Sequence, residues 1–307
     1  MSRTLAKVTV TVPATTSNLG PGFDCLGLAL DLRNELTLEL RDESGTPVVE
    51  ISGEGATTLP RDGDNAILRA ARLVLPKKIP GRLFFKALNR IPLARGLGSS
   101  AAAVVAGLWA GAHLFGTLRK TEDELEAMAV SLEGHPDNVA PCVHGGLTAS
   151  YTENGRSRSV RLNIHPSLSA AVCVPQFELA TKKARAALPK AVPLADAVFN
   201  SSRAILLARA LETGRTQHLA EYMNDRLHQP YRSKLVPGLH EAMAAALKAG
   251  AAGAALSGSG PTVFAFVTDD RGDAAGTAMV RAFRAKGVKS TRQYLEIDHQ
   301  GVRVERS

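Results

Sequence analysis

Hydrophobic and polar positions along the first ninety residues alternate between two periodicities. Strand-like composition or alternation occurs at residues 8–12, 35–40, 48–51 and 82–88. Between the third and fourth of these runs, Asn65 to Leu75 has apolar residues at helical spacing. The pattern predicts a mixed α and β structure from the beginning of the chain.

Two further helices follow the fourth predicted strand. The segment after Gly98 is rich in Ala and Gly, and we expect a helix to about Phe115 that packs closely through small side chains. Thr121 and Glu124 have the spacing of a capping box, which predicts a helix that ends near Glu133.

The second half of the chain predicts a different layout. Strands are expected at 146–151 and 160–164, with the polar stretch 152–159 as a hairpin loop. From Ser169 the predicted order is strand, helix, long helix at 194–211, helix at 238–248, two strands around residue 260, a helix and a final strand. This order is typical of an α+β sandwich, and we expect two domains, at residues 1–165 and 166–307.

Composition narrows the class of protein. The chain has 307 residues, of which 45% are hydrophobic, and a net charge of +8, but its Lys and Arg residues are dispersed and aromatic residues make up only 5%. A dedicated nucleic-acid protein would more often show a clustered basic stripe. The chain has three widely separated cysteines, no signal-type apolar segment and no apolar run long enough to span a membrane. These features predict a cytoplasmic protein without a membrane partner.

Residues 92–103, PLARGLGSSAAA, are the first candidate for chemistry. Glycines at 96 and 98 let the backbone approach a ligand, and the amides of the following helix start are donors that favour an anion. The Lys-Ser/Thr ending of a Walker A loop is absent. On these residues alone, a phosphate loop and an ordinary Ser-capped helix are equally good interpretations.

Three Gly-containing segments, 13–24 (PATTSNLGPGFD), 92–103 and 253–266 (GAALSGSGPTVFAF), together resemble the GHMP small-molecule kinases. Residues 133–141 (EGHPDNVAP), 177–182 (FELATK) and 228–232 (HQPYR) extend the resemblance over nearly the whole chain. The first segment is similar to the homoserine kinase branch rather than to the mevalonate or galactose branches.

The resemblance implies a two-domain architecture, with an N-terminal ribosomal-protein-S5-like α/β domain and a C-terminal ferredoxin-like α+β sandwich. It also implies ATP-dependent phosphorylation of the L-homoserine hydroxyl to O-phospho-L-homoserine, a step of threonine biosynthesis, with Mg²⁺, and a possible homodimer. The residues it assigns to ATP are Pro92, Leu93, Ala94, Arg95, Gly96, Leu97, Gly98, Ser99, Ser100, Ala101 and Ala102.

For the metal, the resemblance implies Ser100 and Glu133, whose hydroxyl and carboxylate are hard oxygen ligands suited to Mg²⁺. A carboxylate in the last turn of a helix is repelled by the negative end of the helix dipole, and a bound cation would offset that repulsion. The alternative is a solvated surface Glu at a helix end.

For the amino acid, Asp24 is the candidate partner of the ammonium, with Asn18 in the same loop. Arg185 and Arg232 are candidates for the carboxylate through charge-assisted hydrogen bonds. By resemblance Thr181 and Gly260 also lie on the substrate side. Taken singly, the loop residues could stabilise turns and the arginines could be ordinary surface charges.

For catalysis, Asn138 is expected to orient the hydroxyl, since a loose phosphoryl-transfer transition state does not require a strong base. The adjacent Asp137 is ionisable and is the alternative. We claim no histidine base. Two other functions remain open: a GHMP kinase acting on mevalonate or a related alcohol, and a non-catalytic nucleotide-binding or RNA-associated domain.

Overall fold

The computed structural model describes residues 2–116, 120–268 and 271–306. The strands within these residues are β1 (Thr4–Ser17), β2 (Leu26–Arg41), β3 (Val48–Gly53), β4 (Arg82–Asn89), β5 (Leu147–Glu153), β6 (Arg156–Leu162), β7 (Leu168–Pro175), β8 (Gly253–Leu256), β9 (Val263–Thr268), β10 (Ser290–Leu295) and β11 (Arg303–Arg306). The helices are α1 (Ala66–Arg72), α2 (Ser99–His113), α3 (Glu122–Glu133), α4 (Val139–His144), α5 (Thr181–Ala186), α6 (Leu194–Thr213), α7 (Leu219–Tyr222), α8 (Gln229–Arg232), α9 (Leu239–Lys248) and α10 (Arg271–Ala285).

The first sheet has the order β11-β1-β2-β4-β3, and β5 pairs with the N-terminal part of β2 and with β6. Only the β3–β4 pair among the described strands is parallel. The predicted helix after Gly98 is α2, which is buried along most of its length and packs against β1 and α1. Its small residues permit this close approach: a Cβ on Gly107 would lie 2.4 Å from the Ile67 carbonyl oxygen.

The second sheet is antiparallel, with the order β10-β7-β9-β8. All eight residues of β7 are buried, as expected of a central strand between two layers. Helices α9 and α10 pack together and against the sheet, where Met279 and Phe283 are buried with Ala242. The mixed α and β content and the α+β layout expected for the second half of the chain are confirmed.

The capping box predicted for α3 is confirmed: Thr121 accepts from the Glu124 amide, and the Glu124 side chain accepts from the Thr121 amide. Gly134 follows the helix at a φ of 85°. This helix start is encoded locally, so its sequence signal is sufficient.

The predicted hairpin forms, but the prediction that its loop covers 152–159 is wrong. Strands β5 and β6 continue through most of that stretch, and the turn consists of Asn154 and Gly155 at φ angles of 51° and 72°. Asn-Gly favours this two-residue turn, because both residues tolerate a positive φ. The polar residues that indicated a loop lie instead on exposed strand positions.

The expected single final strand is two strands. β10 joins the second sheet, while β11 pairs with β1 in the first sheet. The Arg33 guanidinium holds this returning segment by donating to the Asp298 carboxylate and to the Gly301 carbonyl, both at 2.7 Å. The boundary at residue 165 stays a prediction. In the described part of the chain, no helix has both the length and the apolar character needed to cross a membrane.

Candidate active site

A polar cavity of about 100 Å³ brings together residues from both halves of the chain. It adjoins a larger cavity of about 600 Å³, and the two share Ala94, Ser99, Ser100 and Thr181. The lining of the polar cavity includes Asn18, Asp24, Gly96, Gly98, Glu133, His135, Asp137, Asn138, Arg185, Arg232, Gly258 and Ser259. Most residues that the resemblance selected therefore lie around one space.

Residues 92–102, which we call the phosphate loop after their predicted role, connect β4 to α2 at the edge of this cavity. The N-cap residue of α2 is Gly98, at a φ of 71°, and no side chain among the described residues caps the helix. The interpretation as an ordinary Ser-capped helix is therefore wrong. The first amides of α2 have no side-chain acceptor at the helix start, where the positive end of the helix dipole favours an anion.

Gly96 joins this loop to the segment between β8 and β9. A Cβ on Gly96 would lie 2.2 Å from the Ser257 carbonyl oxygen, and the Ser257 hydroxyl donates to the Gly96 carbonyl at 2.6 Å. Gly258 and Ser259 reach the cavity, whereas Gly260 lies behind them, where its Cβ would meet the Leu256 side chain at 2.7 Å. The C-terminal segment thus supports the phosphate loop through backbone contact.

Asn18 and Asp24 delimit a loop, which we call the Asn18–Asp24 loop, between β1 and β2. Both residues have positive φ angles, 69° and 55°. The Asn18 side chain accepts from the Asp24 amide at 3.0 Å and donates to the Gly258 carbonyl at 3.1 Å. Asn18 therefore fixes its own loop and ties it to the second half of the chain.

Asp24 and Arg185 form a bidentate ion pair, with N–O distances of 2.7 and 2.9 Å. Both side chains are about one-third exposed, which leaves them accessible to a charged ligand. The hydrogen bonds that Arg185 donates to Asp24 raise the pKa of Arg185. The sequence interpretation assigned these two groups to opposite ends of the substrate, and the structure brings them into contact.

Arg232 is 2% exposed and has no carboxylate partner among the described residues. Its Nη1 donates to the Gly258 carbonyl at 2.9 Å and to His228 Nδ1 at 3.3 Å, while its buried Nε has no partner. Burial, and then the like charge of Arg185, lower the pKa of Arg232 to about 10. A buried cation in this state favours an anionic ligand.

Ser100 and Glu133 meet from the start of α2 and the end of α3. The Ser100 hydroxyl donates to the Glu133 carboxylate at 2.6 Å. Burial raises the pKa of Glu133, and the hydrogen bond from Ser100 offsets part of that rise. No group of three or more His, Cys, Asp or Glu side chains gathers at a metal-binding distance within residues 2–116, 120–268 and 271–306.

Asn138 lies at the centre of a buried network. Its Nδ2 donates to the Ser17 hydroxyl at 3.0 Å and to Asp137 at 3.1 Å, and its Oδ1 accepts from the Thr15 hydroxyl at 2.8 Å. A Cβ on Gly98 would lie 3.2 Å from that Oδ1. The Asn138 amide is thus fixed in orientation directly beside the phosphate loop.

Asp137 is buried and accepts from Asn138 and from His135 Nδ1, the latter at 2.7 Å. Burial lowers the pKa of His135, but the Asp137 carboxylate outweighs it, and the net shift is upward. No helix amide donates to the Asp137 carboxylate in the described structure, so this residue is not a helix cap.

Sequence reasoning missed several residues of the site. Thr15 and Ser17 orient Asn138, His228 contacts Arg232, and Ser259 lies 3.4 Å from the Thr181 hydroxyl across the cavity. A sequence signal was available for Thr15 and Ser17. The polar run TTSN, residues 15–18, lies at the end of a strand in which polar and apolar residues alternate. In the structure all four residues of this run are buried. Buried polar side chains in a strand require partners.

The larger cavity is more apolar. Ile51, Leu59, Ile67, Leu93 and Leu179 line it, together with Asn65 and Asn89. It opens onto the phosphate loop through Ser99 and Ser100. An apolar, flat group attached to phosphates fits this pair of adjoining spaces.

Comparison with known proteins identifies the family of the chain. Residues 65–146 match the family model for the N-terminal domain of GHMP kinases, and residues 207–285 match the model for the C-terminal domain. The homoserine kinase of Moorella thermoacetica is 50% identical over 285 residues, which cover 92% of this chain and 94% of that protein. The homoserine kinase of Parasynechococcus marenigrum is 44% identical over 96% of this chain and 95% of that protein.

Solved structures give the same result. A crystal structure of homoserine kinase from Cytophaga hutchinsonii superposes with a TM-score of 0.85 at 33% identity and covers 97% of both chains. Mevalonate kinase of L. major, with a TM-score of 0.71 at 19% identity and coverage of 98% of this chain and 100% of its own, shares the fold. The chain therefore belongs to the homoserine kinases of the GHMP kinase family.

Proposed function

We propose that this chain transfers the γ-phosphoryl group of ATP to the hydroxyl of L-homoserine and releases ADP and O-phospho-L-homoserine. The observation that carries the proposal is Arg232, a buried guanidinium without a carboxylate partner in the described structure, beside the Asp24–Arg185 pair and the phosphate loop. A zwitterionic amino acid alcohol supplies the complementary charges and a hydroxyl within the same space. The names of the similar proteins support the same substrate.

For ATP, the uncapped amides at the start of α2 are suited to the phosphates, and the adjoining apolar cavity is suited to the adenosine. The two cavities share Ser99 and Ser100, so one nucleotide could occupy both. Gly96 and Gly98 let the loop pack closely against Ser257 and Thr15, because a Cβ at either position would lie 2.2 Å from the Ser257 carbonyl oxygen or 1.9 Å from the Thr15 hydroxyl.

The Ser100 hydroxyl and the Glu133 carboxylate fit Mg²⁺, because two hard oxygens already lie 2.6 Å apart and this ion keeps several waters or phosphate oxygens as further ligands. Mg²⁺ would neutralise charge on the transferred phosphates. Glu133→Gln should raise the Mg²⁺ concentration required for half-maximal turnover about tenfold. Glu122→Gln, at the exposed opposite end of α3, is the control, and equal requirements in the two variants would contradict the assignment.

The homoserine hydroxyl needs orientation more than deprotonation. Asn138 Oδ1 uses one lone pair for Thr15 and retains another that can accept from the substrate hydroxyl. Because Ser17 and Asp137 hold the amide nitrogen, the Oδ1 cannot exchange places with it. The chain thus presents a preorganised acceptor beside the phosphate loop.

The amino and carboxylate groups of homoserine would be recognised by opposite charges. Arg232 and Arg185 bind the carboxylate, and Asp24 binds the ammonium while it keeps contact with Arg185. Thr181 and Ser259 lie at the rim of the cavity, and Gly260 supports the backbone behind it. A substrate without an ammonium, such as mevalonate, would leave Asp24 without its ligand.

The test is ATP consumption by the purified chain with Mg²⁺ and, separately, L-homoserine, L-serine, L-threonine or mevalonate, with the product identified by mass. Turnover that depends on homoserine and yields phosphohomoserine is expected. Turnover only with mevalonate would assign a different alcohol to the same kinase site. ATP binding without turnover of any alcohol would favour a non-catalytic nucleotide-binding domain.

A further inference from the structure

Arg232 has only one edge of its guanidinium available to a ligand. Both hydrogens of Nη1 are committed, one to the Gly258 carbonyl at 2.9 Å and the other to His228 Nδ1 at 3.3 Å. Nε and Nη2 donate to no protein atom in the described structure, and Nε is buried. Nε and Nη2 form a pair of parallel donors that matches the two oxygens of a carboxylate.

His228 determines which edge this is. The ring is fully buried, and its Nε2 lies 2.8 Å from the Gly20 carbonyl oxygen. A carbonyl can only accept, so Nε2 carries the hydrogen, and the neutral ring then presents an unprotonated Nδ1 to Arg232. Burial lowers the pKa of His228, although the nearby Asp225 carboxylate opposes this, and the ring therefore stays neutral.

Asp225 and Phe23 hold the His228 ring in place. The Asp225 carboxylate accepts from the His228 and Gln229 amides at 3.0 and 2.6 Å. Asn200 orients Asp225 through a hydrogen bond of 2.7 Å and also donates to the Pro21 carbonyl. The Phe23 ring stacks on His228 at a centroid distance of 5.3 Å. One buried network thus contacts both the Asn18–Asp24 loop and Arg232.

We propose that His228 is a positioning residue that turns the Nε and Nη2 edge of Arg232 toward the substrate carboxylate and holds the Asn18–Asp24 loop in register with that edge. The inference rests on the proposed function, since it requires an amino acid substrate whose carboxylate binds Arg232. His228 touches neither the phosphates nor the reacting hydroxyl, so its effect should fall on binding of the amino acid and not on ATP.

Two substitutions test the roles of the two His228 ring nitrogens separately. His228→Asn places an amide oxygen near the position of Nδ1 and keeps an acceptor for Arg232, whereas His228→Gln places a donor near Nε2 and keeps only the bond to Gly20. We expect His228→Gln to raise the homoserine KM about tenfold or more, and His228→Asn to raise it less than about threefold. The KM for ATP should be unchanged in both variants.

A ligand that lacks the carboxylate provides a second readout. 3-Aminopropan-1-ol is homoserine without that group, and its inhibition constant against homoserine measures binding by the rest of the pocket. The preference of the enzyme for homoserine over this compound should fall about tenfold in His228→Gln and persist in His228→Asn. If His228 were merely structural, binding of both ligands would weaken together, and the inference would be overturned.

The outcomes distinguish the inference from the function on which it rests. Absence of homoserine-dependent turnover by the unmodified chain would overturn both. Turnover by that chain, with equal KM values in the Asn and Gln variants, would overturn only the role of His228. Should His228→Gln not fold, nitrogen NMR of the histidine rings in the unmodified chain decides the question. An Nε2–H tautomer whose Nδ1 signal shifts on homoserine binding supports the inference, and an Nδ1–H tautomer overturns it.

Discussion

The phosphate loop and the proposed amino acid pocket, formed by Asn18, Asp24, Arg185 and Arg232, share one cavity, but they are built in different ways. The phosphate loop is contiguous, and it offers backbone amides whose direction follows from positive φ angles at Gly96 and Gly98. The amino acid pocket is assembled mainly from side chains of distant segments, held together by contacts across up to 240 residues, as in the hydrogen bond from the Asn18 side chain to the Gly258 carbonyl. A backbone site depends on local conformation, whereas a side-chain site depends on the relative placement of distant elements.

The largest loss of turnover is expected where the phosphate loop contacts the second half of the chain. Gly96→Ala places a Cβ 2.2 Å from the Ser257 carbonyl at a φ of 78°, so the loop must move. A displacement of about 1 Å costs on the order of 100-fold in turnover, and the free energy of unfolding should fall by about 2 kcal/mol. Steady-state kinetics and chemical denaturation measure the two effects.

Gly155→Ala is the matched control, because Gly155 has a φ of 72° and a Cβ added there would meet no atom of the described residues within 4 Å. It should lose about 1 kcal/mol of stability and no activity. Equal loss of activity in the two variants would show that backbone strain alone, and not the contact with Ser257, explains the result.

The side-chain site is broken most directly at Arg232. Arg232→Met should raise the homoserine KM about 100-fold, because it removes a buried charged partner of the carboxylate, and leave the KM for ATP unchanged. The free energy of unfolding should change by less than about 1 kcal/mol, since the buried cation has no carboxylate partner in the described structure and Asn18 still donates to Gly258.

Arg226→Met tests the specificity of that effect. Arg226 lies over the Phe199 ring and pairs with Asp196, outside the polar cavity. Its KM values should match those of the unmodified chain. A rise in the KM for ATP in Arg232→Met would show that the two regions are not separable.

Substitutions of Asn138 and Asp137 test the part of the cavity where the phosphate loop meets the amino acid pocket. Asn138→Ala should lower kcat about 100-fold, because it removes the acceptor that orients the hydroxyl. Asp137→Asn should lower kcat less than about tenfold, since this residue contacts Asn138 and His135 and acts through them. A kcat loss of roughly 100- to 10,000-fold in Asp137→Asn would instead identify Asp137 as a general base.

The smallest effect is expected on stability, from a pair that lies outside both regions. His144 Nε2 lies 2.8 Å from the Glu126 carboxylate. The hydrogen bond to Glu126 raises the pKa of His144 above 6.5, so this stabilisation is complete below that pH and is lost as the pH rises through the raised value. Burial is the largest single influence on the pKa of Glu126 and raises it, but the hydrogen bonds to His144 and Ser159 and the charge of His144 together outweigh burial, so the pKa is lowered from 4.5. His144→Gln should therefore cost about 1 kcal/mol between these two pH values and less at higher pH.

Chemical denaturation between these two pH values, and well above the higher one, measures the difference in the free energy of unfolding between His144→Gln and the unmodified chain. His218→Gln, which alters an exposed pair with Glu221 at 3.5 Å, should change stability by less than about 0.5 kcal/mol at either pH. A cost for His144→Gln that grows with pH would contradict the assigned pKa direction.

Local signals predict the elements well where the cause of the structure is local. The Thr121–Glu124 capping box and the helix after Gly98 are in the structure at the expected places. The prediction at 152–159 is wrong because polar composition indicates a loop, whereas the Asn154–Gly155 turn signal marks the actual reversal of the chain. The prediction for the final strand is wrong since nothing in the composition of that segment indicates that it pairs with β1.

The sequence by itself predicted the phosphate loop and determined the capped helix α3 and the family, because glycine spacing, caps and motif residues act within a few positions of the chain. Only the tertiary structure decided that Asp24 pairs with Arg185, that Thr15 and Ser17 fix Asn138, and that Arg232 is buried without a carboxylate from the described residues. Charge and hydrogen-bond partners of buried side chains depend on which distant elements pack together. For that reason the chemistry of the amino acid pocket could be proposed from the sequence, but its arrangement could not.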